Sequence, residues 1–212
     1  MPWDTSCAET VDSNRPMGRP SVKRQRTEEI LDAFALCIAR YGLEGSTLER
    51  IATEAGVQRA ILRHHIGNRD ELIAALGEHI EREFPGATEA YFARLPESNR
   101  LEHLVNILFD PSMRSKSQEL AVAMALTSIS DRFPGVAAGL RSWLLKLDHL
   151  VAMELSRRYP QATPTVIAAV SFGLLSIYFQ ADTLASLQRR DRFSRTTKQT
   201  AWRLIHTLDS DE

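Results

Sequence analysis

Cationic and amide side chains gather around residue 60, and their types suit hydrogen bonding to phosphates and to the edges of DNA bases. Gln58, Arg59, Arg63 and His64 are spaced so that one helical segment projects them outward, with Ala60 between them. The fork of donors on arginine bonds guanine or phosphate, and the glutamine amide bonds adenine. This segment is therefore predicted to enter a groove of double-stranded DNA.

Two short helices joined by a glycine turn are predicted to position these side chains. Gly56 can take the left-handed backbone conformation that such a turn requires. The apolar positions of the stretch recur at helical spacing, and they are Leu48, Ile51, Ala52, Ala55, Val57 and Leu62. The pattern over about 46–66 predicts a helix-turn-helix motif with the cationic residues on its second helix.

The start of the first of these helices adds another predicted contact. Ser46 is expected to cap the helix, with Glu49 three residues later completing a capping box. Thr47 then lies at the exposed N-terminus, where unpaired backbone N–H groups and partial positive charge attract a phosphate. Both Ser46 and Thr47 are therefore included in the predicted DNA surface.

These residues fall in a register that resembles the tetracycline-repressor (TetR) family over about the first third of the chain. The matching positions are Gly42-x-x-x-Ser46-Thr47-Leu48-x-x-Ile51-Ala52-x-x-Ala55-Gly56-Val57, followed by Leu62-x-x-His65-x-x-Asn68-Arg69. An amphipathic helix precedes them, capped by Thr27 and with one apolar face formed by Ile30, Phe34, Ile38 and Tyr41. The resemblance implies a three-helix DNA-binding domain around a small core.

The chain departs from the family pattern at several of these positions. Arg63 stands where the family usually has a tyrosine, so a charged phosphate contact replaces a neutral one. Gln58 stands where serine or threonine is usual, and loss of that capping hydroxyl weakens the helix start by roughly 1 kcal/mol. Arg69 keeps the charge of the usual lysine. His65 is expected either to pack or to contact a phosphate.

A basic segment free of acidic residues leads into the first helix. Its cations are Arg15, Arg19, Lys23, Arg24 and Arg26. Such a run is either a solvated tail or an arm that brings Arg19 to phosphates or to a minor groove. Together with the resemblance, this predicts a flexible basic arm over 1–22, a DNA-binding domain over 23–83, and a helical effector-binding and dimerisation domain over 84–212.

Composition limits the cellular setting and the source of any DNA affinity. The 212 residues carry a formal net charge of −1, so affinity for DNA must come from local charge. The two cysteines, Cys7 and Cys37, are typical of a reducing compartment rather than of a disulfide framework. The sequence start lacks the apolar core of a signal peptide. A cytoplasmic protein is expected.

The pattern stays helical beyond residue 70, without alternating strand patterns or hairpin sequences. The expected helices cover about 69–83, 99–109, 117–132, 136–158, 163–188 and 196–208. The breaks between them fall at Pro85-Gly86, Pro96, Asp110-Pro111, Pro134-Gly135, Pro160 and Pro164. The predicted fold class is all-α with about nine helices, a three-helix DNA-binding domain preceding a larger helical domain.

No charged residue occurs from Tyr159 to Ala181. The dense apolar part of this segment, 166–179, is shorter than the roughly 20 residues that cross a bilayer. Burial against neighbouring helices or a second subunit is expected instead of a membrane span. The TetR resemblance implies a homodimer interface through about 163–188 and 196–208. Such a dimer would read the two half-sites of a roughly palindromic operator.

The resemblance also implies an effector cavity in the C-terminal domain, for an apolar or amphipathic small molecule that shifts the protein between two conformations. Candidate lining residues are Met124, Trp143, His149, Met153, Phe172 and Tyr178. Each is alternatively an ordinary core residue, because aromatic and methionine side chains on helical stripes usually pack.

Catalytic and metal chemistry is not expected from the linear pattern. His64-His65 and Asp70 are one residue too far apart for an acyltransferase signature, and no cysteine–histidine cluster has zinc-binding spacing. The sequence predicts a DNA-binding transcriptional regulator without a cofactor, most simply a repressor released by a small molecule. The alternatives are a regulator without an effector, and an enzyme that uses the C-terminal helical cavity.

Overall fold

Nine α-helices and no strand make up the described part of the chain, which confirms the expected all-α fold. The computed structural model describes residues 22–109, 118–185 and 190–209, the side chains of 182–195 excepted. The helices are α1 Val22–Gly45, α2 Leu48–Glu54, α3 Arg59–Ile66, α4 Arg69–Ala93, α5 Arg100–Phe109, α6 Gln118–Thr127, α7 Pro134–Arg158, α8 Pro164–Ala185 and α9 Arg190–His206, with a 3₁₀ turn at Thr207–Asp209. Cys7, Arg19 and the rest of the predicted arm before Val22 lie outside the described residues.

Helices α1, α2 and α3 pack around one small apolar core, as the periodicity predicts. Ile30, Phe34 and Ile38 of α1 are buried together with Ile51 of α2 and Leu62 of α3. Burial of side chains of this size contributes roughly 1.5–3 kcal/mol each relative to exposure. The core therefore holds α3 in a defined orientation on the other two helices.

Two expectations about α1 are wrong. Thr27 does not cap this helix, which begins at Val22, and its hydroxyl instead donates to the Lys23 carbonyl one turn earlier at 3.0 Å. Tyr41 is not buried in the core but is 50 % exposed. Its ring lies 4.7 Å from the guanidinium carbon of Arg50, a cation–π contact at the surface of the protein.

Helix α4 continues through the position at which a break is expected. Pro85 lies inside this helix of 25 residues. Phe84 and Phe92 are buried on either side of it, and we attribute the continuity to this packing, which outweighs the local cost of proline in a helix. The predicted domain boundary between 83 and 84 falls within the same helix.

Helices α4 and α7 approach closely because glycines face each other between them. A Cβ atom at Gly139 of α7 would lie 2.4 Å from the Gly77 carbonyl oxygen of α4. A Cβ atom at Gly77 would lie 2.5 Å from the Val136 backbone nitrogen. Backbone atoms of the two helices therefore contact each other directly, and this contact joins α4, which follows the three N-terminal helices, to the C-terminal helices.

Helices α8 and α9 pack against each other within the single chain. The apolar stripe of α9 and the following turn is internal, since Ala201, Ile205 and Leu208 are buried. A Cβ atom at Gly173 of α8 would lie 2.6 Å from the Leu204 side chain. The chain itself therefore covers the apolar stripe of α9, and the dimer interface through about 163–188 and 196–208 stays a prediction.

The apolar character of α8 is pronounced. Pro164–Ala181 is long and apolar enough to cross a membrane by length and composition alone, with a mean hydropathy of 1.5, and 39 % of this window is buried. The buried hydroxyl of Ser171 donates to the side chain of Asp148 on α7 at 2.6 Å. Part of the uncharged surface of α8 is thus packed on α7, and part is exposed.

Candidate nucleic-acid interface

The start of α2 differs by one residue from the predicted capping box. Thr47 is the N-cap, and its hydroxyl oxygen accepts the Arg50 backbone N–H at 3.3 Å. Ser46 is fully buried, and its hydroxyl donates to the Gly42 carbonyl at 2.7 Å. Ser46 is therefore neither the cap nor part of the exposed surface. Thr47 is exposed at the helix N-terminus.

A tight turn at Gly56 sets α3 against α2. Gly56 has a φ of +64°, and the following N–H of Val57 donates to the Ala52 carbonyl at 2.9 Å. Gln58 is the N-cap of α3, and its side chain makes no capping hydrogen bond. The expected loss of the capping hydroxyl is thus confirmed. The Gln58 side chain is exposed instead.

One side of α3 is exposed and carries the predicted cations. Its exposed residues are Gln58, Arg59, Ala60, Ile61, Arg63 and His64. The helix contains no acidic residue. Neither Arg59 nor Arg63 makes a hydrogen bond or ion pair with the described residues, so both guanidinium groups present their donors to solvent. This arrangement can bond phosphates and base edges without first breaking contacts inside the protein.

Ile61 belongs to this exposed side and was missed by the sequence analysis. Its side chain is 42 % exposed. The sequence did carry an indication, because Leu62 is the position that faces the core and Ile61 falls off that stripe. An exposed apolar side chain among hydrogen-bond donors suits contact with the methyl group of thymine.

His65 lies towards the back of α3. The residue is half-buried, and its Nδ1 atom is buried without a hydrogen-bond partner among the described residues. Its ring meets that of His64 edge to face, with the centroids 5.6 Å apart. This position corresponds to the packed alternative for His65.

Arg69 is used inside the protein rather than left free for a phosphate. Its guanidinium donates to the Ser46 carbonyl at 2.7 Å and to the Leu43 carbonyl at 2.5 Å. The residue is half-buried at the start of α4. It therefore braces the loop between α1 and α2, which carries Thr47.

A capping box that the sequence analysis missed fixes the start of α4. The Asn68 side-chain oxygen accepts the backbone N–H groups of Asp70 and Glu71 at 2.9 and 3.1 Å. The Glu71 carboxylate in return accepts the Asn68 N–H at 2.7 Å. The spacing Asn68-x-x-Glu71 was the available indication. Helix α4 thus begins at a defined point directly after α3.

The six predicted effector-lining residues differ in how deeply the structure buries them. Trp143 and Tyr178 are buried, and Met124 is half-buried. The other three are exposed, namely His149, Met153 and Phe172. That these six residues line one effector cavity stays a prediction.

Fold and site together define the class of the molecule. It is an all-α protein whose N-terminal helices form a helix-turn-helix with an exposed cationic second helix, followed by a larger helical domain. Residues 30–76 match the family described as bacterial regulatory proteins, tetR family. The N-terminal helices of this chain are therefore similar to the DNA-binding part of that family.

Relatives in sequence match about half of the chain. The HTH-type transcriptional regulator BetI of Paraburkholderia phymatum is 32 % identical over 101 residues, which are 47 % of this chain and 52 % of BetI. The chain thus spans about half the length of the curated relatives it matches.

Solved structures extend the likeness in fold to the C-terminal helices. A TetR transcription regulator from Haloarcula marismortui has a TM-score of 0.65 at 19 % identity, over 86 % of this chain and 97 % of that one. The multidrug binding protein EbrR, solved with imidazole, has a TM-score of 0.54 at 21 % identity, over 85 % of this chain and 94 % of that one. The fold of these solved regulators is therefore shared over most of the chain.

Proposed function

We propose that this protein is a cytoplasmic transcriptional repressor that binds a palindromic DNA operator as a homodimer and is released from it by a small molecule. The observation that carries the DNA-binding part is the exposed side of α3. Its two arginines have no partners among the described residues, and no acidic residue lies in the helix. Such a helix fits the major groove, as the second helix of a helix-turn-helix does.

Each exposed group of the motif has a role that follows from its chemistry. Arg59 and Arg63 bond guanine or phosphate, and Gln58 bonds adenine. Ile61 contacts a thymine methyl, with the small side chain of Ala60 allowing close approach to the bases. Thr47 contributes its hydroxyl to a phosphate from the start of α2.

The proposed dimer uses an uncharged exposed face of α8. The exposed residues of this face are Thr165, Ala168, Ala169, Phe172 and Ser176. Phe172 is 72 % exposed, and small residues around it allow a second helix to approach. On α7, Leu145 is 63 % exposed, three residues from Asp148, which bonds Ser171 of α8. We therefore place the interface on α8 with adjoining α7, in place of the stripe of α9.

An apolar effector would bind among the buried aromatic rings of the C-terminal domain. The Trp143 and Phe179 rings lie 6.0 Å apart, and those of Tyr178 and Phe109 lie 6.4 Å apart. The Trp143 indole N–H donates to the Thr88 hydroxyl at 3.0 Å, which gives this centre a polar group. Binding of imidazole by EbrR supports a small-molecule effector as the proposal for this fold.

The test is a mobility-shift titration of the DNA flanking the gene of this protein, against nonspecific competitor at several salt concentrations. Arg63→Ala should weaken DNA binding. It should also reduce the salt slope, which is the steepness with which the logarithm of the binding constant falls with the logarithm of the salt concentration, by about 0.9, the contribution of one phosphate contact. Thr47→Ala should weaken it less. Ile61→Ser should lower the preference for the operator over competitor and leave the salt slope unchanged.

The matched control is Arg141→Ala, which removes an exposed arginine from α7, far along the chain from the motif. Unchanged affinity in both the Arg63 and the Thr47 variants would contradict the assignment of the surface. Specific binding that no small molecule in a broad screen weakens would favour a regulator without an effector.

A further inference from the structure

Two pairs of side chains that can bind metal ions face each other across α1 and α4. Glu28 and Asp32 are four residues apart on α1, and His79 and Glu83 are four residues apart on α4. Residues at this spacing lie on one face of a helix, one turn apart. Two packed helices therefore contribute one pair each to the same place.

His79 is the buried member of this cluster, with 4 % of its side chain exposed. Its Nδ1 atom lies 3.0 Å from Glu28 Oε2, and its Nε2 atom lies 3.1 Å from Asp32 Oδ1. A neutral imidazole has only one N–H to donate. The tautomer with the proton on Nδ1 donates to the Glu28 carboxylate. In the other tautomer, with the proton on Nε2 facing Asp32, the lone pair of Nδ1 can bind a metal ion placed between it and the Glu28 carboxylate.

We propose that His79 Nδ1, Glu28 and Glu83 bind one divalent first-row transition ion, Zn²⁺ in the first instance, and that Asp32 holds the imidazole in the required tautomer. The donor atoms of these three residues all lie within 4.8 Å of one another. Ligands about 2 Å from one ion lie somewhat closer together than this, so small side-chain movements close the site. A solvent molecule would complete a four-coordinate shell.

The donor set selects the type of ion. An imidazole nitrogen favours Zn²⁺ and its first-row neighbours over Mg²⁺ and Ca²⁺, which prefer oxygen ligands alone. A carboxylate that accepts the second N–H of a ligating histidine is the usual outer partner of such a metal site. Asp32 occupies that position. It lies on the opposite side of the ring from the proposed ion.

Arg82 is the group that competes with the metal. Its guanidinium donates to both carboxylate oxygens of Glu28 at 2.8 Å, and it lies 3.8 Å from Glu83. The cation thus satisfies the two carboxylates in the absence of metal. Its side chain is 41 % exposed, so it can move into solvent when an ion binds. The linear sequence does not reveal this site because its two pairs are about fifty residues apart.

The test is a titration of the full-length, chelator-treated protein with Zn²⁺, in competition with a chromophoric chelator. One ion per chain is expected. Glu83→Gln should lower the affinity by at least about tenfold and Asp32→Ala by about 10–100-fold. Arg82→Met should raise the affinity. Glu81→Gln, an exposed carboxylate of α4 outside the cluster, should leave it unchanged.

Glu83 is 58 % exposed, so the Glu83→Gln variant should fold normally. Circular dichroism checks this. A His79→Asn variant is interpreted only if its circular dichroism spectrum matches that of the unmodified protein. The absence of Zn²⁺ binding overturns the proposal. Binding that Glu83→Gln leaves unaffected also overturns it, since the ion then lies at another histidine or cysteine. Metal binding does not depend on the proposed function, and the titration is read without DNA.

Discussion

The Arg69 guanidinium links three parts of the N-terminal helical domain through one side chain. It joins the start of α4 to the Leu43 carbonyl in the last turn of α1 and to the Ser46 carbonyl between α1 and α2. A residue chosen in the sequence as a free phosphate contact is therefore a structural brace. Its influence on DNA binding would be indirect, through the position of Thr47.

Arg69→Met should destabilise the protein by roughly 1–3 kcal/mol, because two partly buried carbonyls lose a charged donor. Urea unfolding followed by circular dichroism measures this. Arg94→Met, which removes an exposed arginine at the other end of α4, is the control and should change stability little. Equal effects of the two substitutions would show that the brace contributes nothing specific.

The Cys37 thiol should be unreactive in the folded protein. It is 1 % exposed, and burial raises its pKa, with the negative charge of Glu54 adding to the rise. The thiolate is the reactive form. In a Cys7→Ser variant, Cys37 is the remaining thiol. At pH 8, a disulfide reagent should modify it in the native protein only as fast as the protein unfolds locally or globally. In urea the same reaction should be fast. Native-state reaction at the rate of a free thiol would contradict this.

At the level of the elements, the contact of α4 with α7 leaves no space for a side chain. Gly139→Ala should destabilise by at least about 1–3 kcal/mol, since its Cβ would press on backbone rather than on a flexible side chain. Gly86→Ala in α4 is the matched control, because a Cβ there meets nothing within 4 Å. That change should stabilise by about 0.5–1 kcal/mol. Thermal unfolding of both variants, compared side by side, tests the contact.

The local periodicity of the sequence was sufficient to predict α2, the turn and α3. The stripe through Ile51 and Leu62, and the loss of a capping hydroxyl at Gln58, depend on neighbours within a few residues. The cap at Thr47 was not predictable in the same way. Either of two adjacent hydroxyl residues can cap a helix, and the capping box with Glu49 favours Ser46, but the choice between them depends on where α1 ends.

Predictions failed where a distant part of the chain decides the outcome. Pro85 has a local tendency to end a helix, but buried phenylalanines on both sides keep α4 continuous. Phe172 looks like a core residue from its neighbours in sequence. Helices α7 and α9 determine which side of α8 is buried, and the local sequence of α8 does not predict this.

At the scale of the whole molecule, the exposed face of α8 should decide the oligomeric state. Phe172→Glu should convert the dimer to a folded monomer, because a charge cannot be buried unpaired against a second uncharged face. Sedimentation velocity measures this. Tyr91→Glu, at a residue 38 % exposed on α4, should leave the dimer intact. A wild-type monomer at high concentration, or a Phe172→Glu dimer, would refute the placement.

If helix α4 pivoted at Gly77, its tightest contact with α7, it would be an unequal lever, because that point is off-centre. Gly77 lies 8 residues from Arg69 and 16 from Ala93, which at about 1.5 Å per residue gives arms of about 12 and 24 Å. A displacement of the Ala93 end of α4 would therefore move the Arg69 end, next to α3, about half as far and in the opposite direction. In a two-fold dimer, both copies of α3 would move. A displacement of about 3 Å at each Ala93 end would therefore change the separation of the two α3 helices by about 3 Å, close to the 3.4 Å rise of one base pair.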